Sequence, residues 1–274
     1  MAVDRVWWMY ALAVVGVAVA FAPRGAESAI AAYAGIHVLL AATLVVLRRT
    51  VDHRGGWTPR LARGGFTMIA MPIAFQSLSL VLPAVHPEPW EWTWIAADRA
   101  LFGVDPTVAL QPLLRPWLVE ILQWAYVAFY AVPIVTVVGL GWRLGGEAFD
   151  DALHAVTFCF LLSYLGYFLW PTLPPYRFLP HGPEREGVWL AASIRGWIDA
   201  AEWHRWDCFP SGHTMLSVAC LVIARPVRPL VWGLAPLVLA IVVSTVALRY
   251  HYASDVLVGA LLVGPALWLG RRCR

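Results

Sequence analysis

Two short polar segments carry the residues that could do chemistry, and each stands directly before an apolar run. The segment RYHYASDV contains Arg249, His251 and Asp255, and the segment DCFPSGHT contains His213. His251 and Asp255 are four residues apart, so on a helix the carboxylate would hold the imidazole in one tautomer and orientation. A histidine held in this way is a good nucleophile or base. The alternative is a structural pair that fixes the end of a helix.

The second segment predicts the start of a helix that binds phosphate. Pro210 and Ser211 are typical of a helix entry, with Ser211 as N-cap, and Gly212 permits close approach of the backbone. The unpaired N–H groups and the positive end of the helix dipole attract an anion there. We therefore expect Ser211 and Gly212 to bind phosphate and His213 to act beside it. A plain helix cap with an interfacial histidine is the alternative.

Two arginines are candidates for binding the same phosphate. Arg249 lies two residues before His251 and reaches the anion if the chain is not yet helical there. Arg177 ends the segment WPTLPPYR, whose prolines cannot continue the preceding helix and so present the arginine at the membrane surface. A lone interfacial arginine more often contacts lipid head groups, and this alternative stays open for Arg177.

The composition indicates the elements that must position these residues. Hydrophobic residues make up 60% of the chain and charged residues only 14%, which predicts an all-α integral membrane protein. The net charge of +3 is too small and too dispersed for nucleic-acid binding. A membrane span needs about 20 apolar residues. Eight such stretches occur, at residues 6–22, 28–47, 66–85, 117–141, 150–170, 211–224, 230–248 and 254–270.

The arginine-rich loops predict the orientation of the spans. They follow the second, fourth and sixth spans and the last one, so all of them lie on one side of the membrane, and such loops stay cytoplasmic. We therefore expect a multi-pass protein of the plasma (inner) membrane with both termini cytoplasmic and the histidines on the extracytoplasmic face. A cleaved signal peptide ending at Ala20-Phe21-Ala22 is the alternative for the first run, and Pro23 argues against it.

A tryptophan-rich segment, PEPWEWTWIAADRALFGVDPT, separates the third and fourth predicted spans. Tryptophan suits the membrane interface, where its ring is half buried and its N–H is half wet. The part IAADRALFG predicts a short helix lying in this interface. It is either a lipid anchor without chemistry or a lid or lateral entrance for a lipid.

The motifs resemble a known family. PSGH at 210–213 and His-x-x-x-Asp at 251–255, each opening a helix, look like the second and third signatures of the type 2 phosphatidic acid phosphatase superfamily. The resemblance implies two extra helices in residues 1–65 and a six-helix catalytic core in residues 66–274. The segments DRALFGVDPT and PTLPPYR resemble the inositolphosphotransferase branch of that superfamily, which includes inositol phosphorylceramide synthases.

Two departures from the family pattern concern the cations. The first signature, Lys-x6-Arg-Pro, is missing, because all the basic residues are arginine, and Arg177 is the nearest equivalent in position. The third signature usually begins with Ser-Arg six residues before the histidine, where this chain has Ser244-Thr245. Arg249 is the candidate to replace the lost charge.

The resemblance implies a chemistry for the named residues. His251 would attack phosphorus and form a phosphohistidine, Asp255 would stabilise the developing charge, and His213 would protonate the leaving alkoxide. An alcohol acceptor makes the protein a lipid phosphotransferase, and water makes it a lipid phosphate phosphatase that uses the same site. No metal or other cofactor is expected, since the sequence has no acidic cluster to hold one.

A transporter is the non-enzymatic alternative. Transport predicts buried polar or charged groups in the middle of the spans. His37 and Gln76 are about the only candidates, and we expect both to lie outside the site or far from it.

Overall fold

The chain is helical along nearly all of its apolar runs, as the composition predicts. The computed structural model describes residues 2–21, 25–51, 56–85, 88, 90–180, 186–201 and 206–274. The α-helices in these ranges are α1 (Ala2–Phe21), α2 (Glu27–Val51), α3 (Thr58–Val85), α4 (Glu91–Phe102), α5 (Pro106–Ala109), α6 (Pro116–Ala128), α7 (Ala131–Leu144), α8 (Gly146–Leu169), α9 (Ala191–Ala201), α10 (Gly212–Ile223), α11 (Arg228–Ala247) and α12 (Ala253–Arg272). The all-α fold class is confirmed.

The predicted spans coincide with helices that differ in length and hydropathy. Among the described residues, five helices are long and apolar enough to do so, namely α2, α3, α8, α11 and α12. The first predicted span coincides with α1. The sixth coincides with α10, whose 12 residues extend only about 18 Å. A helix of this length is too short to cross the apolar bilayer core of about 30 Å alone.

The fourth predicted span, residues 117–141, is broken in two. Its halves α6 and α7 meet at an angle of 53° and would form a sixth span if counted together. Pro133 supplies the physical reason, because it has no N–H to donate to the carbonyl of Phe129, four residues earlier. That carbonyl accepts from the N–H of Val132 instead, at 3.1 Å.

The short helix α10 is at the centre of the bundle and packs against α7, α8, α11 and α12. Its side chains Met215, Leu216, Ala219 and Cys220 are fully buried. The N-terminal helices α1 and α2 pack against each other, and they join the rest of the bundle through α3 and α8. The predicted boundary between residues 65 and 66 falls within α3, and helices on both sides of it contribute to one hydrophobic core, so the division into two units stays a prediction.

Exposed tryptophans mark two levels along the bundle. One exposed group lies near the end of α7, the start of α11 and the end of α12, and consists of Trp142, Trp232 and Trp268 respectively. A second exposed group, at the opposite helix ends and in the connecting segments, consists of Trp92, Trp117, Trp189 and Trp197. Two such belts on either side of an apolar surface are typical of a membrane-spanning bundle. The chain is a multi-pass membrane protein.

The arginine-rich segments and the catalytic candidates lie at opposite ends of α12. This helix starts next to His251 and ends at Arg272, about 30 Å away. At the arginine end Arg60 pairs with Asp150 at 3.0 Å, and Arg5 donates to the carbonyl of Arg274 at 3.2 Å. The separation agrees with the predicted topology, while the cytoplasmic location of the arginine end stays a prediction.

Candidate active site

His251 and Asp255 are in contact at the start of α12. His251 Nδ1 lies 3.1 Å from Asp255 Oδ1 and 3.3 Å from Oδ2, and both side chains are buried. Asp255 Oδ2 also accepts the backbone N–H of Tyr252 at 2.9 Å, so the carboxylate caps the helix as well. With Nδ1 held by the carboxylate, Nε2 is the ring nitrogen left for attack on an electrophile.

The backbone reverses direction sharply just after the end of α11, and His251 follows this reversal. Arg249 has φ of 70°, in the left-handed region that ends many helices. The N–H groups of Tyr250 and His251 both donate to the carbonyl of Thr245 at 2.9 Å. A non-glycine residue in this region costs on the order of 1 kcal/mol and is enriched at functional sites. Arg249 is therefore not helical, which is the condition that the sequence analysis set for it to reach the anion, but the sequence gave no sign of the reversal.

His213 faces His251 from the first turn of α10. The two rings are 5.7 Å apart between centroids and inclined at 62°. The rings of Tyr126 and Phe129 each lie 4.2 Å from the His213 ring and fix its orientation. His213 Nε2 is buried with no hydrogen-bond partner among the described residues. A buried polar atom without a partner is costly and points to a substrate atom as its natural partner.

The start of α10 is capped as the sequence predicts. Ser211 Oγ accepts the N–H of Thr214 at 3.3 Å. Gly212 is needed because a β-carbon there would overlap the hydroxyl of Tyr167. On the other side, a β-carbon on Gly259 would lie 2.8 Å from the carbonyl oxygen of Ser211. These two glycines let α8 and α12 closely approach the turn that opens α10, and phosphate binding at this turn stays a prediction.

An apolar cavity of about 390 Å³ opens beside His213 between α3, α7, α8 and α10. Its lining includes the apolar side chains Met71, Phe75, Ile134, Phe160 and Leu216. Gln76, Asp207 and His213 supply polar groups. The expectation that Gln76 lies away from the site is therefore wrong. The reason is that α3 packs against α8, which brings a residue 137 positions before His213 in the sequence to the same cavity.

A second, much smaller cavity of about 20 Å³ adjoins His251. It is lined by Tyr126, Pro174, Tyr176, Asp207, Cys208, Tyr250 and His251. Asp207 lines both cavities and is the one acidic residue that the structure describes in these two linings. The other polar candidate of the spans, His37, is buried elsewhere and hydrogen-bonds to Ser77 at 3.1 Å.

The helix α4 positions the catalytic helix, a role that sequence reasoning missed. Asp98 is buried, and its carboxylate accepts the N–H of Ala253 at 3.1 Å and that of Ser254 at 2.6 Å. Trp94 stacks on Phe209 with 3.8 Å between centroids. The predicted short helix thus exists as α4, and it packs on both candidate segments, while its place in the membrane interface stays a prediction. An aspartate in the mainly apolar stretch IAADRALF was the available signal, because a charge that becomes buried requires donors.

The two predicted phosphate-binding arginines have different surroundings. The Arg249 guanidinium is buried and donates to Gln111 Oε1 from Nε at 2.8 Å and from Nη2 at 2.6 Å. Arg177 is exposed in a short 3-10 turn, and the neighbouring Tyr176, not Arg177, lines the small cavity. A third arginine that the sequence did not single out, Arg195 of α9, lies 5.4 Å from the centre of the Tyr250 ring.

The charge of Asp255 controls the protonation of His251. Burial disfavours the imidazolium ion, but the Asp255 carboxylate, its hydrogen bond to Nδ1, the charge of Asp207 and the backbone of Cys208 outweigh this and raise the pKa of His251.

Cys208, His251 and Asp255 also bring possible metal ligands within 4.8 Å of one another, as the one such group in the described part of the chain. Cys208 Sγ donates to the carbonyl of Tyr250 at 3.0 Å, and the absence of a metal requirement stays a prediction.

Comparison with known proteins gives one match. A family model described as the PAP2 superfamily matches residues 93–269, which include most of α4 and both histidine segments. No curated protein and no solved structure matches the chain.

Proposed function

The chain belongs to the PAP2 superfamily, and on this premise we propose that it transfers the phosphate-containing head group of a membrane lipid to an alcohol acceptor. One observation carries the proposal. His251, which is held by the Asp255 carboxylate, faces His213 with 5.7 Å between the ring centroids. His213 also lines an apolar cavity that is large enough for part of a lipid.

In the first half of the proposed reaction, the lone pair of His251 Nε2 attacks phosphorus. A P–N bond forms, the P–O bond to the leaving group breaks, and His213 donates its proton to the departing alkoxide oxygen. Asp255 keeps the Nδ1 proton in place and stabilises the positive charge that develops on the His251 ring. The unpartnered Nε2 of His213 supports its role as the acid.

In the second half, the same groups work in reverse. His213, now neutral, takes the proton of the acceptor hydroxyl while the acceptor oxygen attacks phosphorus. The P–N bond then breaks and the electron pair returns to His251. Both histidines end in the protonation state in which they began, so the cycle needs no external base.

The phosphate oxygens carry the charge that must be stabilised in both steps. We propose that the N–H groups at the start of α10, from Ser211 to His213, accept part of it. Arg249 and Arg177 supply the positive charge that the lysine and arginine of the family signatures provide and that this chain lacks at those positions. Arg177 is exposed, so its part in the proposal requires that the side chain turn toward the bound head group.

The cavity beside His213 supports a lipid as the substrate. Its volume of about 390 Å³ lies within the usual range of roughly 300–1,000 Å³ for ligand sites. The walls from α3, α7 and α8 are mainly apolar, which suits a hydrocarbon chain, and the head group would then lie at His213. The resemblance to the inositolphosphotransferase branch supports an alcohol as acceptor.

One observation favours a second candidate, a lipid phosphate phosphatase. The cavity beside His251 has a volume of only about 20 Å³, which is close to the space that one water molecule occupies. A sugar alcohol would require this region to widen, whereas water would fit as it is. The two activities share every catalytic residue and differ only in the acceptor.

Product analysis separates the two candidates. Purified protein would be incubated with lipids labelled at phosphorus, with and without inositol or a lipid alcohol. We expect label in a new phosphodiester when the alcohol is present. Release of free phosphate as the sole labelled product would support the phosphatase, and no turnover of any phosphate-containing lipid would contradict both.

A further inference from the structure

A third cavity lies at the end of the bundle opposite the histidines. Its volume is about 460 Å³, and it lies between α7, α8, α10 and α12. Its walls are largely apolar, from residues such as Leu140, Val222, Ile223, Ala266 and Leu267. We refer to it below as the arginine cavity, because Arg225, Arg271 and Arg274 also line it.

The charges of the arginine cavity are unbalanced. Arg274 is paired with Asp151, which is the carboxylate lining the cavity. Arg225 and Arg271 are exposed, and neither has a salt-bridge partner within the described ranges. An apolar cleft whose border carries two uncompensated positive charges is complementary to a molecule with a hydrocarbon chain and an anionic head group.

A buried histidine adds a specific polar group. His154 lines the arginine cavity and is 3% exposed. Its Nε2 lies 2.8 Å from the carbonyl oxygen of Gly270, which can only accept, so Nε2 carries the proton. In the neutral ring Nδ1 is then an acceptor, and it is buried without a partner in the part of the chain that the structure describes. A hydroxyl group of a ligand would satisfy it.

We propose that the arginine cavity binds one anionic phospholipid of the membrane leaflet at that end of the bundle, with a hydroxyl-bearing head group such as that of phosphatidylglycerol. Arg225 and Arg271 contact its phosphate, the walls from α7, α10 and α12 hold part of an acyl chain, and His154 accepts a head-group hydroxyl. This lipid is not the substrate, because the catalytic histidines lie at the other end of α12. The proposal is independent of the proposed enzymatic function.

The test compares two double variants of the full-length protein. Arg225→Gln/Arg271→Gln removes the unpaired charges of the arginine cavity. Arg143→Gln/Arg228→Gln removes the same net charge from exposed arginines that do not line it. Delipidated protein in detergent would be titrated with phosphatidylglycerol or with phosphatidylcholine of the same acyl chains, and bound lipid would be counted by native mass spectrometry.

We expect the wild type to bind the first phosphatidylglycerol at least about ten-fold more tightly than phosphatidylcholine. The Arg225→Gln/Arg271→Gln variant should lose about thirty-fold in affinity for phosphatidylglycerol, since each arginine near a membrane surface contributes about a five-fold attraction. The control variant should stay within about two-fold of the wild type. Millimolar inorganic phosphate should not displace the lipid, because it lacks the acyl chain.

Three results would overturn the proposal: equal affinity for the two lipids, equal loss in both double variants, or displacement by inorganic phosphate alone. Equal loss would mean that the arginines attract anionic lipid only through the overall positive electrostatic potential at this end of the bundle. Thermal unfolding of each variant checks that its fold is retained, and His154→Phe offers a further variant, with a smaller expected loss, that leaves the arginine charges in place.

Discussion

Replacing Asp255 by asparagine should leave the fold intact and nearly abolish catalysis. Asparagine has the same shape, and its oxygen can still accept the N–H of Tyr252, now 2.9 Å from Asp255 Oδ2. The amide NH₂ then faces His251 Nδ1, in the position where Asp255 Oδ1 now lies 3.1 Å away. Nδ1 must become the acceptor, so the ring proton moves to Nε2. A protonated Nε2 has no lone pair with which to attack phosphorus.

The size of this effect follows from the tautomer. Locking a catalytic histidine in the wrong tautomer costs on the order of 10⁴-fold in kcat, equivalent to about 5 kcal/mol of transition-state stabilisation. The pH dependence should change as well. The Asp255 charge raises the pKa of His251, and attack requires the neutral ring, so wild-type activity falls as the pH drops through that raised pKa. Without the charge the pKa is lower, and the acidic limb should move to lower pH.

The assay is the pH profile of kcat/KM with a labelled lipid phosphate in detergent micelles. Asp105→Asn is the matched control, because Asp105 pairs with exposed Arg99 at 2.8 Å, and surface pairs of this kind contribute about 0–1 kcal/mol. The control should keep its rate within about two-fold and leave the acidic limb in place. A folded Asp255→Asn variant that loses less than ten-fold, or whose acidic limb stays where it was, would refute the proposed role of the carboxylate.

Three further predictions concern the support of the site. Asp98→Ala should destabilise the protein by about 1–2 kcal/mol in thermal unfolding and lower kcat, because two N–H groups at the start of α12 lose their acceptor, and Asp98→Asn should recover part of both losses. Gly212→Ala should cost about 1–3 kcal/mol through overlap with the Tyr167 hydroxyl, and adding Tyr167→Phe should restore most of the stability. Arg249→Ala and Arg177→Ala should each lower kcat/KM by roughly 30- to 1,000-fold. Only Arg249→Ala should also lower the unfolding temperature, because the Arg249 guanidinium is buried against Gln111. An Arg249→Ala variant with unchanged kcat/KM would mean that another group binds the phosphate.

The features that could be predicted from the sequence are local in the chain. Long apolar runs predict helices because a backbone in lipid must satisfy its own hydrogen bonds, and their positions agree with the helices observed. The contact of His251 with Asp255 depends on a spacing of four residues, and the cap of α10 depends on Ser211 and the N–H of Thr214, three residues later. Each of these is fixed by geometry within one or two turns.

The features that the sequence did not reveal depend on distant parts of the chain. Asp98 caps a helix whose first residues are 155 and 156 positions away. The rings that hold His213 come from the last turn of α6 and from Phe129 just after it, and Gln76 reaches the cavity beside His213 from α3. Periodicity shows that a residue is apolar or interfacial, but it does not show which neighbour it meets. Polar residues in mainly apolar helices, the buried Asp98 and the half-buried Gln76, were the signal that pointed to such meetings.

The central claim is that His251 becomes covalently phosphorylated during turnover, and trapping that intermediate tests it most directly. Protein mixed with a lipid labelled at its phosphate would be quenched within the first turnover and digested, and the labelled peptide would be identified by mass spectrometry. We predict label on His251, labile in acid and stable in base, that is absent from His251→Ala. Label on another residue, or undiminished turnover by His251→Ala, would contradict the mechanism.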